Sequence, residues 1–300
     1  MSYKVCIGLA TNGNNNQIEN WINEINAELM LLDNKKYNCK VVICLNGRIR
    51  SNLEKKYNNL VWLYQKESGK NDALNKILTF ARNYGFDIIH FLDDDIKFVR
   101  GSLKADLDSL TNTSINSHVL VGSNFYADVT HCSLIQKILC TPFTPKADVN
   151  LFLSGNSICS WLQVYPDMPP SETQIADDSY ACVYFAEKYK DCKIVKPKKS
   201  IVYYEPAEGL HDWFDQQVRT YVGVEKSFMV YPEDYLKLEH FFAWRYAENP
   251  SYRKKIMSIS KKEIFQLYIF RLFQKFVFLR GNYILRKNKK VAWNKFRGEY

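Results

Sequence analysis

Residues 86–96, FDIIHFLDDDI, decide the fold class of this chain. The segment Phe86–Leu92 is mainly apolar, which is typical of a strand that is buried on both faces of a sheet. Three aspartates, Asp93 to Asp95, follow it directly, and a buried charge without a partner is energetically costly. The sequence therefore predicts a strand that crosses the core and ends at a polar edge, where solvent or a cation meets the carboxylates.

Strand-like and helix-like segments alternate in the residues before this stretch. Apolar residues at helical spacing predict helices at Gln17–Leu32 and Gly69–Tyr84. Short apolar runs predict strands at Tyr3–Ala10, Cys39–Leu45 and Leu60–Tyr64. This alternation predicts an α/β fold with a mainly parallel central sheet flanked by helices, because parallel strands need crossover connections.

Polar residues lie at the ends of three of the predicted strands, at Thr11, Asn46 and Asp93. In parallel sheets ligands bind beyond the carboxyl ends of the strands, so we expect these residues to line one edge. No GxGxxG motif follows the first strand, and the segment 68–71 lacks the spacing of a P-loop. A bound phosphate would therefore need another neutralising group, and a divalent cation held by carboxylates is the obvious substitute.

Asp93 and Asp95 are the candidate carboxylates for such a cation. In an extended segment, side chains two residues apart face the same way, so this pair could hold a metal, or a metal and a ribose. The alternative is a solvated acidic turn in which Asp95 caps a helix. The buried strand before them favours the cation site, because adjacent charges there need a counter-ion or water.

The composition excludes several classes of protein. A chain of 300 residues with 46% hydrophobic and 24% charged residues buries a large core, unlike disordered, collagen-like or mini-protein sequences. The eight cysteines include no CxxC pair and no Cys/His spacing typical of zinc sites. The N-terminus lacks a signal-peptide pattern, and no uncharged apolar run reaches about 18 residues. We therefore expect a reduced, cytoplasmic protein without a transmembrane helix.

Positive charge is concentrated at the C-terminal end. The net charge is +9, but residues 251–300 hold 14 Lys/Arg and 2 Asp/Glu, a charge of +12 that leaves −3 for the rest. We predict two domains, an α/β domain over residues 1–225 and a basic, aromatic, helical region over residues 226–300. Residues 261–285 are predicted to form a helix, which either contacts an anionic membrane surface through residues 261–290 or packs on the α/β domain. Nucleic-acid binding is not expected, because no recognised module accompanies the charge.

In their order along residues 3–225, the motifs of this chain resemble the family-2 nucleotide-sugar glycosyltransferases, whose fold is called GT-A. The similar segments are YKVCIGLATNGN, CKVVICLNG, GKNDALN, FLDDDI with its DxD motif, LFLSGNS, IADDSYA and DWFDQQVRTYVG. Asn46 departs from the family pattern, which often has Asp there. Thr220 stands where the Q(Q/R)xRW motif of the membrane-linked branch has Trp. Because no transmembrane helix is predicted, we also do not expect the chain to be a processive enzyme that extrudes a polymer.

The resemblance implies a donor site at the sheet edge. Asp95 would ligate Mn²⁺ or Mg²⁺, and Asp93 would contact the nucleoside or its ribose. Thr11 and Asn46 would lie against the nucleotide. Lys70 is a further candidate cation for the diphosphate, and a solvated charge on the helix surface is its alternative.

The resemblance also implies that Asp178, the second acid of IADD, is the catalytic base. Residues 171–174 have capping-box spacing, which predicts a helix N-terminus whose dipole favours the ionised carboxylate; an ordinary acid in a first helical turn is the alternative. Gln216 and Arg219 lie three apart on one side of a helix, and the planar guanidinium of Arg219 suits phosphate. His211 aligns with no motif position and is better explained as a helix-capping or surface residue than as a metal ligand.

The expected function is metal-dependent, inverting transfer of a sugar from a nucleotide diphosphate sugar, with uridine diphosphate favoured, to a hydroxyl of a glycan or glycolipid. Such a hexosyltransferase would serve cell-surface polysaccharide synthesis from the cytoplasm, peripherally on the membrane. One alternative is a nucleotidyltransferase that uses the same carboxylates. The other is an inactive scaffold that binds membrane or nucleic acid. Trp161 and Trp213 could form an aromatic wall for a sugar ring or pack in the core.

Overall fold

The computed structural model describes residues 2–47, 51–67, 69–143, 153–230 and 260–287. The chain forms two compact units. The first comprises residues 1–125, 153–173 and 177–203, and the second comprises residues 126–152, 174–176 and 204–300. The domain boundary proposed between residues 225 and 226 stays a prediction.

The described residues contain ten strands and eight α-helices. The strands are β1 (Tyr3–Thr11), β2 (Tyr37–Asn46), β3 (Val61–Gln65), β4 (Ile88–Leu92), β5 (Ile96–Phe98), β6 (Val119–Val121), β7 (Asn124–Ala127), β8 (Ser157–Trp161), β9 (Lys193–Val195) and β10 (Ile201–Tyr204). The helices are α1 (Asn15–Leu29), α2 (Leu53–Lys56), α3 (Lys70–Asn83), α4 (Ser102–Thr111), α5 (Leu134–Leu139), α6 (Asp177–Lys188), α7 (Leu210–Met229) and α8 (Lys261–Arg286). Short 3-10 helices lie at Thr141–Phe143 and Ser171–Thr173.

Seven strands form the central sheet in the order β3-β2-β1-β4-β8-β6-β9. Strands β3, β2, β1 and β4 are mutually parallel, and β6 pairs parallel with β9. Only β8, within this sheet, runs antiparallel to its neighbours β4 and β6. The predicted α/β fold with a mainly parallel sheet flanked by helices is confirmed. A smaller sheet has the order β5-β10-β7.

The central strands and the helices that follow them form the core of the first unit. Helix α3 approaches strand β1 closely, because a Cβ added at Gly8 would lie 2.9 Å from side-chain atoms of both Ile77 and Phe91. Helix α1 begins at Asn15 because the Asn14 side chain caps it by accepting from the backbone N–H of Gln17 at 2.9 Å. It ends at Leu29 rather than at Leu32 as predicted, and Met30 beyond it is exposed.

Helices α5, α7 and α8 share an apolar cluster in the second unit. Its buried members are Leu139, Trp213, Val218, Val222, Phe270, Val277 and Ile284. Helix α8 begins with a capping box between Ser260 and Glu263, and the helix predicted over residues 261–285 is found at Lys261–Arg286. A Cβ added at Gly281 would collide with the Tyr221 ring, so α7 and α8 pack closely where this glycine lies.

Both tryptophans that were considered for a sugar-binding wall lie in apolar cores. Trp161 is fully buried in β8, and Trp213 belongs to the α5, α7 and α8 cluster. All eight cysteines fall within the described residues, and they are free thiols there. Across the described part of the chain, no helix combines the length and the apolar character needed to cross a bilayer.

Candidate active site

The N-terminus of α3 is held at the sheet edge by hydrogen bonds with Asn46 and Ser171. Asn46, the last residue of β2, accepts a 2.6 Å hydrogen bond on Oδ1 from the backbone N–H of Gly69. Ser171 accepts from the backbone N–H of Asp72 at 3.1 Å, and the backbone N–H of Ser171 donates to Asp72 Oδ1 at 3.3 Å. These contacts fix the first turn of α3 and place Lys70, its first residue, at the carboxyl end of the strands.

The ammonium of Lys70 joins two acidic segments that are far apart in sequence. Its Nζ lies 2.8 Å from Oδ1 of Asp93, the residue that follows β4, and 3.1 Å from Oδ2 of Asp177, the first residue of α6. The three side chains keep between 19% and 24% of their surface exposed, so the cluster is reachable from solvent. Burial acts to lower the pKa of Lys70, but the charges of Asp177 and Asp93 outweigh it and raise that pKa well above its ordinary value.

Asp178 follows Asp177 in the first turn of α6 and is the second carboxylate that this helix contributes. The backbone N–H of Gly155 donates to its Oδ2 at 3.0 Å, and the backbone N–H of Ser179 donates to its Oδ1 at 2.6 Å. Burial and the neighbouring charge of Asp177 raise the pKa of Asp178 to about 6, against the opposing effects of Lys70 and the two N–H donors. A carboxylate with a pKa near neutrality takes up and releases protons readily, which suits a general base.

Gly155 is the point at which the two acidic segments meet. A Cβ added there would lie 3.3 Å from Lys70 Nζ, 3.4 Å from Asp93 Oδ2 and 3.6 Å from Asp177 Oδ2. The next carbonyl, that of Asn156, accepts from the backbone N–H of Asp93 at 3.3 Å. The loop before β8 therefore brings Asp93 and the α6 carboxylates to one place.

The other predicted residues of the sheet edge contact different partners. Thr11 donates from Oγ1 to Oδ2 of Asp94, the middle aspartate, and accepts from the backbone N–H of Gly13 at 2.8 Å. Asp95 lies part-exposed in the turn between β4 and β5. Within the described ranges, no three His, Cys, Asp or Glu side chains converge on a position that could hold a metal ion.

A buried polar network lies between the strands beneath this edge. Oδ2 of the fully buried Asp106 on α4 accepts from Ser157 at 2.9 Å and from Ser123 at 3.0 Å, and Ser123 accepts from Ser200 at 2.7 Å. Nε2 of His90, also fully buried, lies 2.9 Å from Ser157 Oγ. The network joins β4 to β8, the strands next to Asp93 and Gly155. No motif in the sequence pointed to it, because its members lie far apart along the chain.

The predicted capping box at residues 171–174 is wrong. Ser171 belongs to a short 3-10 helix and bonds to Asp72, and α6 begins only at Asp177. The consequence that was drawn from it is nevertheless correct, since Asp177 and Asp178 do occupy the first turn of α6.

Three further predicted residues lie on α7 in the second unit. Gln216 and Arg219 are three residues apart within this helix, and their roles stay predictions. His211 lies in its first turn with 87% of its side chain exposed, and its Nδ1 is 3.5 Å from Asp215 Oδ2. It is a surface histidine, as expected.

Comparison with known proteins identifies the fold. Neither a protein-family model nor a curated protein matches the sequence. Among solved structures, the chain is similar to the mannosyltransferase PcManGT from Pyrobaculum calidifontis in complex with GDP-Man and Mn²⁺, with a TM-score of 0.59 and 14% identity over 98% of this chain and 88% of that one. It also matches S. aureus TarS with a TM-score of 0.45 and 14% identity, over 74% of this chain and 39% of that one. The match to PcManGT shows that this chain has the fold of a glycosyltransferase.

Proposed function

We propose that this protein is a glycosyltransferase that moves a sugar from a nucleotide diphosphate sugar to a hydroxyl group, with inversion at the anomeric carbon. The observation that carries the proposal is the convergence of Asp93, Lys70, Asp177 and Asp178 around Gly155, at the carboxyl ends of the parallel strands. This edge is where α/β sheets bind their ligands. The fold shared with PcManGT, which was solved with a nucleotide sugar, supports the same class of donor.

Asp178 is the proposed base. Its carboxylate takes the proton of the acceptor hydroxyl as that oxygen forms a bond to the anomeric carbon. The bond from the anomeric carbon to the diphosphate breaks, and the diphosphate leaves with the electron pair. The two backbone donors, Gly155 and Ser179, hold the carboxylate in one orientation. A carboxylate has about four acceptor positions, so lone pairs remain for the acceptor hydroxyl.

The charges of the cluster fit a divalent cation bound together with the donor. Asp93, Asp177 and Asp178 carry up to three negative charges against the one positive charge of Lys70, so the cluster attracts cations. A cation that bridges phosphates is commonly held by only one or two carboxylates, with phosphate and water completing its shell. Asp95 would hold such an ion, Mn²⁺ or Mg²⁺, and Asp93 would contact the nucleoside or its ribose. When bound, the ion would stabilise the charge that develops on the leaving diphosphate.

The remaining donor contacts are assigned by the sequence motifs. Thr11 and Asn46 end the strands β1 and β2 at this edge, and we assign them to the nucleotide. By the motif resemblance, Lys70 and Arg219 are assigned to the diphosphate, since a guanidinium offers a planar fork to phosphate oxygens. Gln216 is retained as a predicted catalytic residue of the same motif. The motif resemblance favours a uridine diphosphate sugar and a glycan or glycolipid acceptor of cell-surface polysaccharide synthesis, whereas the similar solved enzyme carries GDP-Man.

The first experiment is a thermal-shift screen of uridine and guanosine diphosphate sugars, each with and without Mn²⁺. A ligand that binds the folded state raises the melting temperature by mass action. We expect one nucleotide sugar to raise it, with a larger rise when Mn²⁺ is present. A chain that binds none of them, and that instead releases pyrophosphate from a nucleoside triphosphate and a sugar phosphate, would overturn the proposal in favour of a nucleotidyltransferase.

A further inference from the structure

An exposed apolar stripe runs along helix α8, on the side away from the α5, α7 and α8 cluster. Large apolar side chains at six positions of this 26-residue helix keep from 44% to 68% of their surface exposed. They are Phe265, Tyr268, Leu272, Phe276, Leu279 and Tyr283. The residues that bury the opposite side in the cluster include Phe270, Val277 and Ile284. The helix is therefore apolar on two sides, and the described residues of the second unit cover one of them.

The spacing of this stripe fits a flat partner and disfavours a supercoiled helix. The six residues span 18 positions in five steps, which is 3.6 residues per step and equals the repeat of a straight α-helix. The stripe therefore follows a straight line along one side of the helix. A seam between supercoiled helices repeats every 3.5 residues instead, so it would drift away from this stripe.

Cations border the stripe on both sides and at both ends. Lys275 directly precedes Phe276, and Arg280 directly follows Leu279. The two cations therefore lie on opposite borders of the stripe. The Arg280 guanidinium lies 5.8 Å from the centre of the Tyr283 ring. Lys261, Lys262, Arg286 and Lys287 are exposed at the helix ends.

We propose that this face of α8 docks on the surface of an anionic lipid bilayer, with the stripe in the interfacial region and the bordering cations at the headgroups. Interfacial helices combine aromatic and aliphatic residues on one face with Lys and Arg beside it. Aromatic rings of Phe and Tyr at this depth and cations near anionic lipid both favour binding. This inference concerns the second unit alone and does not depend on the proposed sugar transfer.

The charge of this face favours an anionic bilayer over a second copy of the chain as its partner. Residues 261–287 contain seven Lys or Arg and one acidic residue, Glu263. Two copies of the face would bring like charges together, whereas anionic headgroups are complementary to them. A nucleic acid would meet the cations but would leave Leu272 and Leu279 without apolar contact.

The experiment is co-sedimentation of the full chain with vesicles of phosphatidylcholine alone and of phosphatidylcholine mixed with phosphatidylglycerol. We expect binding to the mixed vesicles that weakens as salt is added. The double variant Leu272→Glu/Phe276→Glu should lose at least about tenfold in partitioning, and Lys275→Gln and Arg280→Gln about fivefold each. Tyr84→Glu changes an equally exposed aromatic residue of the first unit and should leave binding unchanged.

Two controls keep folding and catalysis separate from docking. All the altered side chains of α8 are exposed, so the melting temperature in the absence of vesicles should change little. The α8 variants should also show the same donor-induced thermal shift as wild type. In turn, the site variant Asp178→Asn should still sediment with the mixed vesicles. Failure of wild-type protein to bind mixed vesicles, or equal binding by the stripe variant, overturns the proposal. A concentration-dependent dimer that Leu272→Glu/Phe276→Glu disperses would overturn it in favour of a second copy.

Discussion

The backbone N–H of Gly155 donates a 3.0 Å hydrogen bond to Oδ2 of Asp178. Gly155 also lies beside Lys70 and Asp93, so a single glycine contacts both acidic segments of the site. A methyl group added there would lie 3.3 Å from the Lys70 ammonium and 3.4 Å from Asp93 Oδ2. These distances are tight, and neighbouring groups would have to shift to accommodate it.

We therefore predict that Gly155→Ala lowers turnover by about ten- to hundredfold, because small displacements of reacting groups are costly in catalysis. The melting temperature should change little, since the groups that must move are partly exposed. Gly209→Ala is the matched control, because the described atom that lies nearest to a Cβ there is Asp212 Oδ2, at 3.9 Å. Equal turnover in the two variants would show that catalysis does not depend on the absence of a side chain at Gly155.

Asp178 should set the acidic limb of the pH–rate profile. With its pKa raised to about 6, the carboxylate is ionised and able to accept a proton only above that pH. Activity should therefore fall as the pH drops through about 6, and Asp178→Asn should lose about a hundred- to ten-thousandfold in rate. The pH dependence of kcat/KM for the donor from pH 5 to 8 would test this, because that ratio reports pKa values of the free enzyme, and a profile that is flat across pH 6 would contradict it.

The same carboxylate should make stability depend on pH. Its pKa is higher in the folded state than the ordinary 3.8, so the folded state binds the proton more tightly. The stabilisation is complete below pH 3.8 and is lost as the pH rises through about 6. Asp178→Asn has no charge to bury and should be more stable than wild type at pH 7, with the difference shrinking towards pH 4. Urea unfolding at pH 7 and at pH 4 measures this difference in the free energy of unfolding. Asp191→Asn, at an exposed aspartate whose pKa is lowered by His118, should show no such gain.

Removal of the Lys70 cation should destabilise the folded protein. Lys70→Met leaves Asp93 and Asp177 close together without their shared partner. We expect a loss of about 1 to 2 kcal/mol at neutral pH, less than for a fully buried pair because the side chains are part-exposed. Lys70→Arg keeps the charge and should lose less. Unfolding free energies of the two variants measure the difference, and a Lys70→Arg variant as destabilised as Lys70→Met would argue against the charge explanation.

The buried network at Asp106 should contribute more to stability than a surface aspartate of the same helix. Asp106→Ala leaves Ser157 and Ser123 without their shared acceptor in a fully buried place, and we expect a loss of about 3 kcal/mol. Asp108→Ala, two residues later on α4, removes part-exposed ion pairs with Lys36 and Lys104 and should cost about 1 kcal/mol. Chemical unfolding of both variants gives the comparison, and similar losses would contradict the importance of the network.

The parallel half of the sheet was predictable from sequence, because β1, β2 and β4 are mainly apolar runs whose helical connections are also periodic. The antiparallel strand β8 was not predicted. Its five residues, Ser157–Trp161, include two serines and form no continuous apolar run, and its neighbours β4 and β6 are set by contacts distant in sequence. Short strands such as β6 and β9 carry too little pattern to identify.

Within the site, residue types at strand ends predicted where polar side chains collect, but not which of them pair. Lys70 contacts Asp177 as well as Asp93, and Thr11 bonds to Asp94 rather than to Asp93. Which side chains pair depends on how the helices pack against the sheet. The incorrect capping box at Ser171 has the same origin, since a tertiary bond to Asp72 replaces the local one.

The most direct test of the site is donor binding by a variant of the sheet-edge aspartate. We would measure the Mn²⁺-dependent thermal shift produced by the nucleotide sugar for wild type, Asp93→Asn and Asp178→Asn, with Asp167→Asn as an exposed control. We predict that Asp93→Asn loses the shift, that Asp178→Asn keeps it while losing sugar transfer, and that Asp167→Asn keeps both. Full sugar transfer by Asp93→Asn and Asp178→Asn would contradict it.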